Sequence, residues 1–361
     1  MKKILFITAH RKDRAPNQRF RFEQYLSYLA ANGFECTVSP LIVSAEEDKR
    51  FYSSGNLFGK LTLGVNLGLR RLKDVLRANS FDVIFIAREA FIAGSVFFEK
   101  RLAKSKAKII FDFDDAIWMD VISGNNQKFS WLKDGSKTGK IISLANLVFA
   151  GNEYLANYAR KFNANVLIVP TTIDTELYKP NYNTTKQKLT IGWSGSVSTI
   201  EHFQYAIPAL EAIKKKYGNR IEISVIGDGN FRVDELGIIG KPWKMETELE
   251  DLHQLDIGIM PLPDNEWTWG KCGLKGLQYM ALEIPTVMSP VGVNNQIIND
   301  GVNGFLANET DEWIIKISKL IDDVDLRIAL GKAGRKTVVE EYSVQSLQNT
   351  YLKYFKTLLD S

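Results

Sequence analysis

The stretch that decides the fold runs from Gly270 to Gly304, GKCGLKGLQYMALEIPTVMSPVGVNNQIINDGVNG. It reads as a glycine-bearing loop, a helix over Leu274–Leu282, a buried strand within PTVMS and a polar loop. Lys271 and Lys275 lie one helical turn apart and straddle Gly273, where the helix should begin. A helix start offers backbone N–H groups and a positive dipole end, which suit a phosphate. Two cations beside it suit a diphosphate. The competing reading is an ordinary helix whose lysines only solvate its surface.

Outward from this segment the same alternation repeats. KKILFIT, FECTVSP, FDVIFIA, KIIFDF, LVFA and NVLIVP read as strands, with helices expected over Gln18–Asn32, Leu57–Ala78 and Phe97–Ser105. The pattern then restarts with LTIGWSG, IEISVIG, LGIIG, DIGIMPL, PTVMS and GFLA. Helices are expected between them at His202–Tyr217, Glu246–Leu255, Leu274–Leu282, Asn294–Asn299 and Asp311–Asp322. Short apolar strands separated by helices predict an α/β fold with parallel sheets covered on both faces. Two Rossmann-like domains are the economical reading. The polar, Pro180-containing segment Thr171–Lys188 serves as linker. Residues 1–172 and 173–341 are the expected domains, and 342–361 a closing helix that Ser343 would cap.

Composition sets the class. The 361 residues are 45% apolar and 24% charged, as in a soluble globular protein long enough for two cores. No apolar run approaches the roughly 18 residues that span a bilayer. MKKILFITAH reads as a first buried strand rather than a signal peptide, so a cytoplasmic location is expected. Two cysteines and three scattered histidines give no disulfide framework and no metal-ligand spacing. Residues 1–170 hold 26 basic and 16 acidic residues, net +10, and the remainder 20 and 26, net −6. The first half should therefore meet something anionic, such as a membrane surface or a lipid-linked phosphate. No nucleic-acid-binding motif is present. No G-x-G-x-x-G opens either sheet, which argues against a nicotinamide dehydrogenase.

GLKGLQYMALEIP, followed by MSPVG and DGVNGFL, resembles the donor-site signature of the family-four glycosyltransferases, which have the GT-B fold. IGWSGSVST resembles the phosphate loop opening the family's donor domain, VIGDG its second sugar-nucleotide strand, and DIGIMPLPDNEW the strand and loop leading into the site. IAREAF and IIFDFDDAIW resemble one bacterial branch. The resemblance implies two Rossmann-like domains facing a central cleft, with the C-terminal helix crossing back to the first. It implies an acceptor-binding first domain and a nucleotide-sugar-binding second one.

Two departures from the family pattern stand out. The cations usual after the first glycine turn are replaced by Val197–Phe203. The two family glutamates separated by seven residues fall on Gly270 and Gln278. Lys271 and Lys275 are the expected substitutes at the leaving diphosphate. Gln278 would accept from the ribose through its amide oxygen. Glu266, Asp264 or Asn265 would replace the missing sugar contact. Ser194, Gly195 and Ser196 follow a strand directly, where flanking amides can donate to a phosphate, unless the turn is only tight. Gly273 and Leu274 open the helix. Trp243 would stack on the base or cover the core. Trp267 and Trp269 would pack the donor loop or stack on a sugar.

In the first half, FDFDDAIW places Asp112, Asp114 and Asp115 at a strand end. Crowded carboxylates repel, so at least one pKa should rise. Their role is acid–base work or hydroxyl orientation, against simple helix capping. Arg19 and Arg21 are expected on the acceptor side, as arginine forks suit phosphate oxygens. Arg88 either pairs with Glu89 or touches the acceptor. Leu57–Arg77 is an amphipathic basic helix that packs in the core or lies on an anionic membrane.

The expected activity is sugar transfer from a nucleoside diphosphate sugar to a hydroxyl of a glycan or lipid-linked acceptor. The resemblance implies retention of configuration and no cofactor or metal. The alternatives are a catalytically weak sugar-nucleotide-binding partner subunit and a sugar-nucleotide epimerase on the same scaffold.

Overall fold

A computed structural model describes residues 1–52, 57–92, 94–119, 135–181 and 187–360. The chain divides into two units, Met1–Pro170 with Gln348–Ser361, and Thr171–Leu347.

The first unit is built on β1 (Lys2–His10), β2 (Phe34–Ile42), β3 (Val83–Ala87), β4 (Lys108–Phe113), β5 (Leu147–Ala150) and β6 (Val166–Ile168). They form one sheet in the order β2-β1-β3-β4-β5-β6, and every pairing is parallel. Its central strands are buried throughout, as a sheet covered on both faces requires. The helix Val344–Asp360 supplies much of that cover in its Gln348–Ser361 portion. Tyr351 stacks on Tyr25 with centroids 4.2 Å apart, and Phe355 lies 6.4 Å from Phe85. Ser343 caps this helix, accepting from the amide of Ser346 at 2.9 Å.

The second unit holds β7 (Leu189–Ser194), β8 (Ile221–Gly227), β9 (Arg232–Val233), β10 (Ile238–Ile239), β11 (Lys241–Pro242), β12 (Ile257–Met260), β13 (Thr286–Met288) and β14 (Phe305–Leu306). Six of them form a parallel sheet, β11-β8-β7-β12-β13-β14, while β9 and β10 pair as an antiparallel ribbon. Its core joins Trp193, Phe203, Leu210, Ile257, Val287 and Trp313.

In open α/β sheets ligands bind beyond the carboxyl ends of the strands, where the strand order reverses. That point lies between β1 and β3 in the first sheet and between β7 and β12 in the second. The segments following those four strands carry Arg19, Arg21, Arg88, Gly195, Ser196, Lys271 and Lys275, while Asp114 and Asp115 follow β4 and Trp243 follows β11.

The expected helix Gln18–Asn32 is broken. Pro16–Arg19 is helical, Glu23–Tyr25 is a single 3₁₀ turn, and Leu26–Ala31 resumes the helix. Side-chain bonds made beyond the segment cause the break. Gln18 bonds the backbone of His10 as donor and acceptor, at 2.9 Å each, and Arg21 is drawn to Asp112. Similarly, His202–Tyr217 begins as a 3₁₀ segment, Val197–Ala206, before the α-helix Ile207–Tyr217.

Candidate functional site

In the second unit, β7 ends under a glycine turn. A Cβ on Gly195 would lie 2.3 Å from the Trp193 ring and 2.9 Å from Cε of Lys275. A Cβ on Gly227, at φ 153°, would lie 2.7 Å from the Gly195 carbonyl. Glycine is thus required by the buried Trp193 beneath the turn and by the close approach of the two loops.

The amides of this turn are already engaged. Ser194 N–H donates to Oη of Tyr279 at 2.7 Å, Gly195 N–H to the carbonyl of Ile226 at 2.9 Å, and Ser196 N–H to Oγ1 of Thr199 at 3.1 Å. The expectation that these three amides cradle a phosphate is therefore corrected. Tyr279 is fully buried, and burial pushes its phenol well above the ordinary value. It stays protonated, and the Ser194 amide bond stays closed.

The cations do converge. Gly273 takes φ 70°, with its would-be Cβ against Cδ1 of Ile297, and caps the helix Leu274–Ala281. Leu274 is its first residue. Lys275, on the first turn, puts its ammonium 5.2 Å from the Trp193 ring centroid. Lys271, in the preceding loop, lies 3.9 Å over the ring of Trp267. Both are half-buried. Trp267 in turn tilts on His202, centroids 5.0 Å apart. His202 is only 2% exposed, and neither ring nitrogen has a hydrogen-bond partner. Burial, then the charges of Lys275 and Lys271, push its pKa down to about 3. His202, Trp267, Tyr205, Glu201, Asn265 and Pro263 line a cavity of about 410 Å³.

His202 is invisible in sequence, as one of three scattered histidines. Only the fold places it beside both lysines. Two of the three loop residues weighed for the missing carboxylate have local work. Asn265 caps the turn Glu266–Trp269, and Asp264 accepts from Nε1 of Trp269 at 2.5 Å.

Gln278 is buried, and its amide nitrogen donates to Oη of Tyr178 at 3.2 Å and to Glu248 at 3.3 Å. The other oxygen of Glu248 accepts from Tyr178 at 2.9 Å, and Nε1 of Trp243 donates to Glu248 at 3.1 Å. A carboxylate therefore does stand beside Gln278, from a different helix, Glu248–His253. Sequence reading misses it because nothing local links positions 248 and 278. The half-buried Trp243 indole is held edge-on by Glu248.

In the first unit the cations are bound to carboxylates. Arg21 and Asp112 are both buried, and Arg21 bonds Asp112 at 2.5 Å and the carbonyl of Val169. Burial raises the Asp112 pKa against the pull of Arg21, with Asp114 adding to the rise. Arg21 and Asp112 therefore brace the sheet instead of offering themselves to an acceptor, which corrects that expectation. Arg19 lies over the ring of Phe20 at 4.9 Å.

Arg88 does not pair with Glu89. It adopts φ 64°, and Glu89 N–H donates across it to Ala87 at 2.8 Å. This tight, strained turn sends neighbouring side chains apart. Arg88 forks onto Asp114 at 2.8 and 2.6 Å and comes within 3.9 Å of Asp115, while Glu89 takes Lys137 at 2.7 Å. Asp114 and Asp115 are half-buried at the mouth of β4. Among the described residues no cluster of metal-ligating side chains occurs.

Residues 188–323 match the family described as glycosyl transferases group 1. A capsular polysaccharide biosynthesis glycosyltransferase, CapM of Staphylococcus aureus, is 36% identical over 91 residues. That match covers 22% of this chain and 24% of the relative, so the chain matches about a quarter of its length. Sucrose-phosphate synthase from Thermosynechococcus elongatus superposes with a TM-score of 0.70 at 13% identity, covering 100% of both chains. Anabaena HepE, solved with UDP and glucose, gives 0.68 at 14% identity over 99% of this chain and 100% of its own. With two parallel six-stranded sheets the chain has the GT-B fold of these structures, and residues 188–323, within its second unit, are similar to the group 1 glycosyl transferases.

Proposed function

We propose that this protein transfers a sugar from a nucleoside diphosphate sugar to a hydroxyl of a glycan or lipid-linked acceptor. The setting is bacterial surface polysaccharide synthesis at the cytoplasmic face of the membrane. One observation carries the reading: Lys271 and Lys275 reach one wall of the second unit, at the sheet's reversal point and beside the start of Leu274–Ala281. The capsular polysaccharide biosynthesis in which CapM takes part, and the UDP and glucose bound by HepE, point the same way.

In this reading the diphosphate lies against the two ammonium groups and the first amides of that helix. The lysines neutralise charge as the leaving group departs, often the largest catalytic contribution, so no metal is needed for it. His202, held neutral, adds no competing charge. Trp243 and Glu248 border the nucleoside. The bond from the anomeric carbon to the phosphate oxygen breaks, and the acceptor oxygen bonds that carbon on the same face. The acceptor proton passes to the departing phosphate. Asp114, aligned by Arg88, orients the acceptor hydroxyl.

Thermal-shift screening against nucleoside diphosphate sugars, followed by assay of nucleotide release, tests this. A stabilising donor that is turned over, with both effects lost in Lys271→Ala, supports it. Tight binding without transfer to any glycan or lipid-linked extract would instead identify a binding subunit, and an altered sugar still on its nucleotide an epimerase.

A further inference from the structure

The helix Leu57–Arg77 has two apolar faces, and the fold uses one. Leu63, Leu67 and the buried Arg71 face the sheet, with Leu41 and Ile42. Arg71 pins that orientation: it donates to the carbonyls of Thr8, Ser39 and Ala90 and pairs with Asp74 at 2.7 Å. The helix cannot roll without stripping a buried guanidinium of these partners.

On the opposite side lie Leu61, Val65, Leu69, Leu72 and Leu76, exposed between 42% and 77%. At 3.6 residues per turn these five fall within an arc of about 80°, roughly opposite the buried face. A continuous apolar stripe four turns long, left in water, marks a docking surface.

Its charges name the occupant. The helix carries Lys60, Arg70, Arg71, Lys73 and Arg77 against a single acid, Asp74, but Arg71 is buried and Arg70 is forked onto Glu47, so Lys73 and Arg77 are the charges presented outward beside the stripe. Asp74 is buried between Arg71 and Arg77 and presents no charge outward. Pairing of this face with a second copy of itself would set cations against cations, whereas an anionic lipid surface meets both the leucines and the cations. We infer that the outer face of Leu57–Arg77 seats the first unit on an anionic membrane, by insertion of the leucines between lipid headgroups. This deepens the lipid-linked acceptor reading but stands on the helix alone.

Co-sedimentation of the full chain with phosphatidylcholine vesicles, with and without phosphatidylglycerol, tests it in the absence of any substrate. The protein should bind only the anionic vesicles, less so as salt rises. The triple variant Leu61→Gln, Leu69→Gln, Leu76→Gln should bind at least about tenfold more weakly with an unchanged melting temperature. Lys73→Gln should weaken binding and flatten its salt dependence. No binding by the native protein, or equal binding by the triple variant, overturns the inference. So does a native dimer that the triple variant converts to monomer, which would make the stripe a protein interface. Donor binding, read separately by thermal shift, stands or falls independently of these outcomes.

Discussion

The two sheets present cations at equivalent places in opposite ways. Beyond the first sheet, Arg21 and Arg88 are forked onto Asp112 and Asp114, and Lys137 is paired with Glu89. Beyond the second, Lys271 and Lys275 lie over the faces of Trp267 and Trp193. A forked pair in a dry interior is directional and costly to break, so it fixes backbone. An ammonium on an aromatic face gains about 0.5–2 kcal/mol from that contact, with loose geometry. The first arrangement builds a frame, and the rings of the second fix the ammonium direction less tightly.

The largest effect should come from breaking the frame. Arg21→Ala leaves Asp112 buried without its partner and should lower unfolding free energy by about 3–5 kcal/mol. Chemical denaturation followed by tryptophan fluorescence and circular dichroism measures this. Arg21→Met with Asp112→Leu, which removes both charges, should recover much of the loss. If the single variant is as stable as the native protein, the pair is no brace and the contrast fails.

Lys271→Ala and Lys275→Ala test the other half. Each should lower kcat/KM by about a hundredfold, the scale of one lost charge-stabilising contact, with little change in melting temperature. Parallel loss of stability and activity would place the lysines in the frame instead.

How much of this is legible in sequence follows from range. The strands are legible because both sheets are covered on two faces and their strands are short apolar runs. Leu274–Ala281 and its Gly273 start are legible because a glycine at positive φ precedes an apolar-periodic run. What fails depends on partners far along the chain. The segment Gln18–Asn32 looks helical, but Asp112, 91 positions from Arg21, helps break it. Arg88 and Glu89 look like a pair because they adjoin, until one positive φ sends them to different partners. The amides of Ser194–Ser196 look available because sequence does not reveal that Tyr279 and Thr199 take two of them. Glu248 beside Gln278 needs tertiary contact to appear at all.

His202 sharpens the comparison because burial, and then the charges of Lys275 and Lys271, hold it neutral. Its folded pKa is lowered to about 3, while the unfolded value is the ordinary 6.5. As pH falls through 6.5 the unfolded chain takes a proton that the folded chain refuses until near 3. This residue should therefore remove stability on acidification, by about 2 kcal/mol between pH 7 and pH 5. Urea unfolding at the two pH values should show that increment in the native protein and not in His202→Phe. Equal pH dependence in both would mean the ring takes its proton at the same pH folded and unfolded, so that neither burial nor the lysines shift it.

Asp114→Asn is the finest test, because it keeps the shape of the frame while removing one charge at its mouth. The amide still accepts from Arg88, so stability should change little. The acceptor hydroxyl, however, loses a charged partner, and hydrogen bonds to ionised groups are roughly twice as strong as neutral ones. Turnover should fall about tenfold, equivalent to about 1.4 kcal/mol in the barrier. Stabilisation by the donor, which depends on the second unit, should remain at the native level. The ratio of the two readouts is what discriminates. Turnover lost together with donor-induced stabilisation would tie Asp114 to the donor, and unchanged turnover would leave Arg88 and Asp114 as one more brace of the first sheet.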